Sequence, residues 1–526
     1  MGKLKIVVLG ILSLSIFLFS ESNAQIKFTK EQKALKKEAD YYYGFAAYPK
    51  AKKIYLDLLK VDSINAEINY KVGVCILIAE NDKVTSAPYF EHASSYGFVE
   101  AHYYLGNVYH LQNKFDLAVR FYSMYMNADI KKKKVENKEV ALKIQTSLRA
   151  KKMIANPVDV EIENLGPSIN TKYHEYVPII SADESVLIFT SRREGSTGGK
   201  LDPYGRFYED IYISYKEEGK WTSPKGIGPN INTDNYDAGV GLSSDGYTLV
   251  VYKTNKSLTG GNLYWSGLEG DEWQEPIKYS DKINSSYVES SASLSADGNK
   301  IYFASNRPNG LGGRDIYRCV RFPNGEWSLP INLGPTINTQ YDDDAPFIHP
   351  DDKTLYYSSK GHNTMGGYDI FKSTLQDDRT WSAPENMGYP INTSGDDRYF
   401  VLSADGKRGY YSSEKKDGFG DQDLYVIHFP DDTKDLTLIR GIVTADSSGV
   451  PLKARITIRN YETKKMEALH KSNSATGRFL LIIPPGKKLK MTVDVPGYEG
   501  YQEVLHYDKN KGFEILEKSI VLKPLK

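Results

Sequence analysis

Cysteine is almost missing from this chain, which has two, Cys75 and Cys319, in 526 residues. Neither lies in a metal-type spacing, so a disulfide framework and a cysteine-built zinc site are both excluded, and the fold must rest on packed cores. Both cysteines read as buried thiols. Long apolar runs are scarce as well. After Phe19 the longest, such as Val72 to Ala79, fall short of the ~20 residues that a membrane-spanning helix needs. Net charge is absent, with 67 Lys and Arg against 67 Asp and Glu, which gives no support for nucleic-acid binding. Catalytic signatures are missing too. The chain has no His-Glu-x-x-His, no Gly-x-Ser-x-Gly and no Gly-x-x-x-x-Gly-Lys-Ser/Thr, and its nine histidines are scattered. No catalytic residue, cofactor-binding residue or metal ligand is therefore expected, and the chain does not read as an enzyme.

What is present is repetition. The segment Pro335 to Gly388 is one of five units that open on Ile169-Asn170-Thr171, Ile231-Asn232-Thr233, Ile283-Asn284-Ser285, Ile337-Asn338-Thr339 and Ile391-Asn392-Thr393. At a constant offset each unit carries an acid: Glu175, Asp237, Glu289, Asp343 and Asp397. A turn with its own aspartate follows, at Asp183, Asp245, Asp297, Asp351 and Asp405, then an apolar strand and a glycine-rich loop. The loop ends in Asp-Ile/Leu-Tyr/Phe at Asp210, Asp315, Asp369 and Asp423, with Asn262 in the second copy, and four units close on Trp-x-x-Pro. A period of roughly fifty residues holding four short strands predicts a β-propeller blade, hence five blades over 157 to 430. The last unit lacks its closing strand, and an unpaired strand, Val158 to Glu163, precedes the first. That strand is expected to complete the last blade and remove an open edge.

If the repeated acids begin the innermost strands, they either ring one mouth of the channel, where a cation or basic peptide could sit, or cap backbone N–H groups of a neighbouring blade. Repetition in every unit favours the cap. The aspartates of the Asp-Ile-Tyr segments read in the same way, as loop acceptors.

These turns and loops, with Ser-Ala-Asp-Gly at Ser295 to Gly298 and Ser403 to Gly406, Ser305-Asn306-Arg307 and the Gly-Gly-x-Asp-Ile-Tyr/Phe segments, resemble TolB-type propeller repeats. More closely they resemble the propeller of Bacteroidota cell-envelope proteins that combine tetratricopeptide repeats, a propeller, a carboxypeptidase-regulatory-like domain and an OmpA-like domain. The resemblance implies a periplasmic role, peripheral to the outer membrane, in envelope machinery of the type IX secretion or gliding kind.

Ahead of the repeats, residues 1 to 24 read as a secretory signal, with Lys3 and Lys5, an apolar run from Ile6 to Phe19 and Ser22-Asn23-Ala24 as the cleavage site. From 28 to 156 the pattern is helical. Ala39, Tyr42, Ala51 and Tyr55 are matched by Gly106, Tyr109, Ala118 and Tyr122, a tetratricopeptide-like spacing that predicts a short α-solenoid. Lys131, Lys132, Lys133 and Lys134 form a basic run before its last helix, read as a solvated turn or as a site for an acidic partner. From 437 to 526, Arg440-Gly441-Ile442-Val443, Gly477-Arg478-Phe479 and Pro484-Pro485-Gly486 resemble the carboxypeptidase-regulatory-like β-sandwich, which implies adhesion or spacing and no peptidase activity.

The expected fold class is thus multidomain, with an α-solenoid of tetratricopeptide repeats followed by a five-bladed β-propeller and a C-terminal β-sandwich. Basic residues outnumber acidic ones in the first and last modules, and the reverse holds in the middle one. The function expected first is a non-enzymatic scaffold for envelope proteins. The alternative is a propeller enzyme or glycan-binding protein acting on envelope polysaccharide. No OmpA-like segment follows the sandwich, so direct peptidoglycan binding is not expected. N-terminal sequencing of the exported protein is expected to begin at Gln25, and an intact Lys3 to Phe19 segment would refute the signal reading.

Overall fold

The computed structural model describes residues 27–130, 133–255, 257–258, 260–430, 435–446, 448–508 and 512–525. The signal segment and Lys131 and Lys132 lie outside the described residues. No helix among those described is long and apolar enough to cross a membrane.

Seven α-helices fill the N-terminal part: α1 Lys30–Gly44, α2 Tyr48–Leu59, α3 Ala66–Ala79, α4 Ala87–Ser95, α5 Glu100–Leu111, α6 Phe115–Asn127 and α7 Asn137–Ile154. Their starts are written in the sequence. Thr29 and Gln32 form a capping box on α1, Asn65 caps α3, and proline stands in the first turn of α2 and of α4. Consecutive helices pair closely because small residues admit aromatic rings: a Cβ on Gly73 would lie 2.7 Å from the Phe90 ring, and one on Gly106 would collide with Tyr122.

After α7 the described elements are β-strands. Five antiparallel sheets follow in chain order, with inner strands Glu175–Ile180, Asp237–Leu242, Glu289–Leu294, Asp343–Ile348 and Asp397–Leu402. Each inner strand touches the inner strands of the sheets before and after it, and the last touches the first, so the sheets close a propeller-like ring. The outermost strand of the fifth sheet comes from the other end of the array, where Glu161–Asn164 pairs antiparallel with Asp423–His428.

Two devices join each sheet to its neighbour. In the first, the asparagine of each Ile-Asn-Thr/Ser opening reaches back to the third strand of the preceding sheet and pairs with one peptide unit there. Asn232 accepts from Ile211 N at 2.9 Å and donates to Ile211 O at 3.0 Å, and Asn284, Asn338 and Asn392 do the same at Leu263, Ile316 and Ile370. Asn170 closes the circle on Leu424, accepting at 2.8 Å and donating at 2.9 Å. In the second, the tryptophans lean backward: Trp221, Trp327 and Trp381 stand edge-on to Tyr410, Tyr279 and Tyr302 of the previous sheet.

The C-terminal module is two facing sheets. Thr437–Ala445 lies between Arg478–Ile483 and Glu514–Leu522, pairing parallel with the latter. The sheet is therefore mixed rather than wholly antiparallel. Arg455–Asn460 and Lys488–Asp494 form the centre of the second sheet, and one apolar core fills the space between the two. This module rests on the ring face that carries the Asp183 and Asp245 turns, through Arg440 to Asp183, His470 to Asp245 and Tyr247 to the Arg478 carbonyl.

The fold class expected from the sequence is corrected at its first term. Among the described residues the α-helices are seven, confined to Lys30–Ile154, and they form a layer laid on the ring, not a tetratricopeptide α-solenoid leading a five-bladed propeller and a sandwich. A solenoid stacks on itself and leaves a continuous concave face. Here the second helical pair is interrupted by a 3-10 turn, Lys83–Ser86, and the later helices are committed to the sheets. Phe115 and Ala150 bury Met365 of the fourth sheet, His110 Nε2 pairs with the Met365 carbonyl at 3.0 Å, and Arg149 donates to the Thr364 carbonyl at 3.0 Å.

Closure of the ring is testable at Asn170. Its replacement by Ala leaves the buried Leu424 N–H unpaired, the Leu424 carbonyl keeping its bond from Leu165 N–H at 3.0 Å, and is expected to lower stability by about 1 to 3 kcal/mol in urea titration. A protein truncated to begin at Ile169 is expected to expose the Asp423–His428 edge and aggregate. Unchanged stability and a monomeric state in both would refute closure through this segment.

Candidate functional site

The repeated acids do not line an open mouth. Glu175, Asp237, Glu289, Asp343 and Asp397 are all 0 % exposed. Each accepts from the backbone N–H and hydroxyl of the Thr or Ser in its own opening triplet, as Asp397 does from Thr393 at 2.6 and 2.9 Å. In four of the five sheets a serine of the second strand completes the set, and in the second sheet Lys253 takes that place at 2.8 Å. They are caps, within their own sheet rather than across to a neighbour. No group of His, Cys, Asp and Glu suited to a metal ion occurs among the described residues.

The aspartates of the Asp-Ile-Tyr segments are loop acceptors. Asp369, for example, takes Met365 N, Gly366 N and the Asn386 amide. Lys133 and Lys134 lie just before α7, over the rings of Tyr125 and Tyr70. Cys75 and Cys319 are buried free thiols, pushed up by burial to about 12 and about 11.

The chemistry lies one residue further on, at the position that does not repeat. After the acid come Tyr176, Ala238, Ser290, Asp344 and Arg398. The ladder slips near this point in every sheet, and in the first, fourth and fifth the next residue, Val177, Ala345 or Tyr399, takes a left-handed φ of 52°, 50° or 59°. That conformation costs a β-branched or bulky residue about 1 to 3 kcal/mol. The bulges re-aim Tyr176, Asp344 and Arg398 toward the ring axis.

Together they build a polar cluster. Arg398 donates to Asp344 Oδ2 at 2.9 Å, with its guanidinium 4.1 Å from the centre of the Tyr368 ring and 4.6 Å from that of Tyr399. Asp344 is also approached by Arg314 at 3.7 Å, and its other oxygen accepts from Ser290, Ser291 and Ala345 N. Burial resists ionisation of Asp344, but the two arginines and these hydrogen bonds outweigh it and hold the carboxyl below its ordinary value. Tyr368 donates to Asp342 at 3.1 Å and carries Lys360 over its ring. On the opposite side Arg192 bridges Asp202 at 2.8 Å and Glu209 at 2.6 Å.

Below the cluster the axial channel narrows to about 70 Å³ between Val177, Ile179, Val240, Leu242, Phe347 and Val401. It has room for a few waters and not for a sugar ring. Above the cluster the helical layer roofs part of the mouth. Its contacts lie on the fourth, fifth and first sheets, with Asn113 meeting Ser394, Lys83 bonded to Glu414 and Asn81 to the Lys172 carbonyl. On the side of the second and third sheets the inner strands present only Ala238 and Ser290. The inner strands are therefore uneven, with Tyr176, Asp344 and Arg398 in the first, fourth and fifth sheets and small residues in the second and third, where Arg314 enters from the loop ahead of the Asp315–Val320 strand. A reading that follows what recurs in a repeat passes over this site. Its signal is the failure of the repeat after the acid.

No family model matches the chain, and no curated protein matches it. Among solved structures, it is similar to an alpha-L-arabinofuranosidase from Lactobacillus brevis at 11% identity, covering 51% of this chain and 94% of that one with a TM-score of 0.35. A glycosyl hydrolase from Bacteroides ovatus is matched at 9% identity over 50% and 86% with a TM-score of 0.34. A gluconolactonase from Xanthomonas campestris is matched at 14% over 62% and 90% with a TM-score of 0.30. Similarity this low transfers no activity to the chain.

Several carboxyls are pushed up by burial, Asp343, Asp369 and Asp397 among them. Burial raises Asp343 and Asp369 to about 7 and Asp397 to about 6, against hydrogen bonds that pull the other way. The folded protein then keeps protons that the unfolded chain has released, so their contribution is complete below about pH 4 and is lost as pH rises toward 7. Burial depresses His110 to about 4 and His174 to about 3, which acts in the opposite sense over pH 4 to 6.5. Comparison with Asp343→Asn cancels the histidines. The advantage of the wild-type protein over this variant is expected to shrink by more than about 1.4 kcal/mol between pH 4 and pH 7. Parallel stability curves would refute the raised value.

Proposed function

We propose that the protein is an exported glycan-binding protein whose site is the half-roofed mouth of the ring. The observation that carries this reading is the Arg398–Asp344–Tyr368–Tyr399 cluster, which sits at non-repeating positions and is held there by strained bulges. Planar charged groups fix the hydroxyls of a sugar by directed hydrogen bonds, and the two tyrosine rings here orient the guanidinium that would offer them. Binding at the mouth is expected without turnover.

From the sequence, scaffolding of envelope proteins ranks ahead of glycan binding, and the mouth reverses that order. The scaffold reading keeps one observation in its favour. The C-terminal end of α1 exposes Tyr41 and the C-cap residue Phe45, 62% and 68% accessible, with their ring centres 4.7 Å apart, the type of anchor a protein partner buries. Export and a periplasmic location belong to the proposal and rest on the signal reading.

Titration calorimetry against oligosaccharides from the cell envelope, with Arg398→Ala as control, tests the site. Saturable binding that the variant loses by tenfold or more is expected. Capture of an envelope protein that Tyr41→Ala and Phe45→Ala abolish, with no oligosaccharide bound, would favour the scaffold. Release of new reducing ends would make the protein a hydrolase.

A further inference from the structure

We infer that the saccharide taken at the mouth carries a carboxylate, as a uronic acid does, and that Arg398 and Arg314 hold it. This deepens the glycan reading and rests on it. The argument is an inventory of bonds already made around the axis. The carboxylates are filled. Asp344 takes donors on both oxygens, Asp342 takes Lys360, Tyr368 and the Arg314 N–H, and Asp202 takes Arg192 together with two backbone N–H groups. The guanidiniums are not. Arg398 Nε is buried without a hydrogen-bond partner among the described residues. Arg314 reaches Asp344 at 3.7 Å and Asp342 at 4.0 Å, beyond hydrogen-bonding distance.

Charge is divided in the same way. On the Arg398 side Arg314, Arg398 and Lys360 meet two carboxylates, Asp342 and Asp344, whereas on the Arg192 side two carboxylates share one guanidinium. The excess of positive charge therefore falls at Arg314 and Arg398. Arg398 is further constrained by lying against Tyr368 and Tyr399. A guanidinium held between ring faces has only its edges for recognition, and an edge of N–H donors matches a planar carboxylate better than it matches a lone hydroxyl.

The experiment titrates the full protein with an oligogalacturonate, with its carboxyl-reduced neutral counterpart and with a sulfated oligosaccharide of equal length. Preference for the uronate over the neutral sugar by tenfold or more is expected, weakening as salt is raised. Arg314→Gln, whose side chain makes no hydrogen bond among the described residues, is expected to lose that preference while the protein remains folded, which its circular dichroism checks. Arg398→Lys is expected to lose it as well, because it keeps the charge and loses the fork. Equal binding of the neutral sugar would overturn the carboxylate inference and leave the glycan reading standing. Equal binding of the sulfated sugar would overturn it in favour of a general anion site. Failure of all three to bind would sink both.

Discussion

The architecture depends on an amide that behaves as backbone. In each repeat an asparagine side chain offers one N–H and one C=O to a peptide unit of the preceding sheet, as a neighbouring β-strand would. The pairing is buried, Asn392 being 0 % and Asn170 1 % exposed, so the peptide N–H cannot fall back on water, and loss of the asparagine costs its full desolvation, while the carbonyl keeps a second backbone donor. Serine or aspartate at this place could supply only part of the bond. Sheets that are internally complete thereby become obligatory neighbours, and the backward lean of the tryptophans adds apolar contact to the same joint.

A framework held at constant positions frees the positions beside them. The acid of each repeat is occupied with capping its own opening triplet, which fixes the start of the inner strand, and the next residue projects over the axis wherever a bulge turns it. Three adjacent sheets place Tyr176, Asp344 and Arg398 there, and the other two place small residues. The strain at Val177, Ala345 and Tyr399 is tolerated because the ring on either side over-determines the backbone.

This division explains what could be read from the residues alone. The register of the units, the strand ahead of the first unit and the acceptor roles of the repeated aspartates follow from pattern, because each answers a backbone need that recurs. The helical part is different. Gly73 with Phe90 and Gly106 with Tyr122 are spaced as a tetratricopeptide unit requires, yet any two helices packed this closely need the same pairing, so the spacing could not distinguish a solenoid from a layer seated on Met365 and Thr364. The mouth was hidden for a third reason. Arg398 and Asp344 stand 54 residues apart and meet only because the fourth and fifth sheets pack side by side, and nothing local in either neighbourhood marks the contact.

The joint between Glu161–Asn164 and Tyr425–His428 also bears on how the chain comes to be folded. Each sheet but the last draws its strands from one short stretch of chain and can form as soon as that stretch is free. The fifth must wait for partners separated by roughly 260 residues, an entropic cost of about 5 kcal/mol for a flexible loop. Prior formation of the first four sheets shortens that search by carrying the two ends around an arc toward one another. Time spent with the Asp423–His428 edge unpaired is then the interval in which the chain is most open to association with other copies of itself.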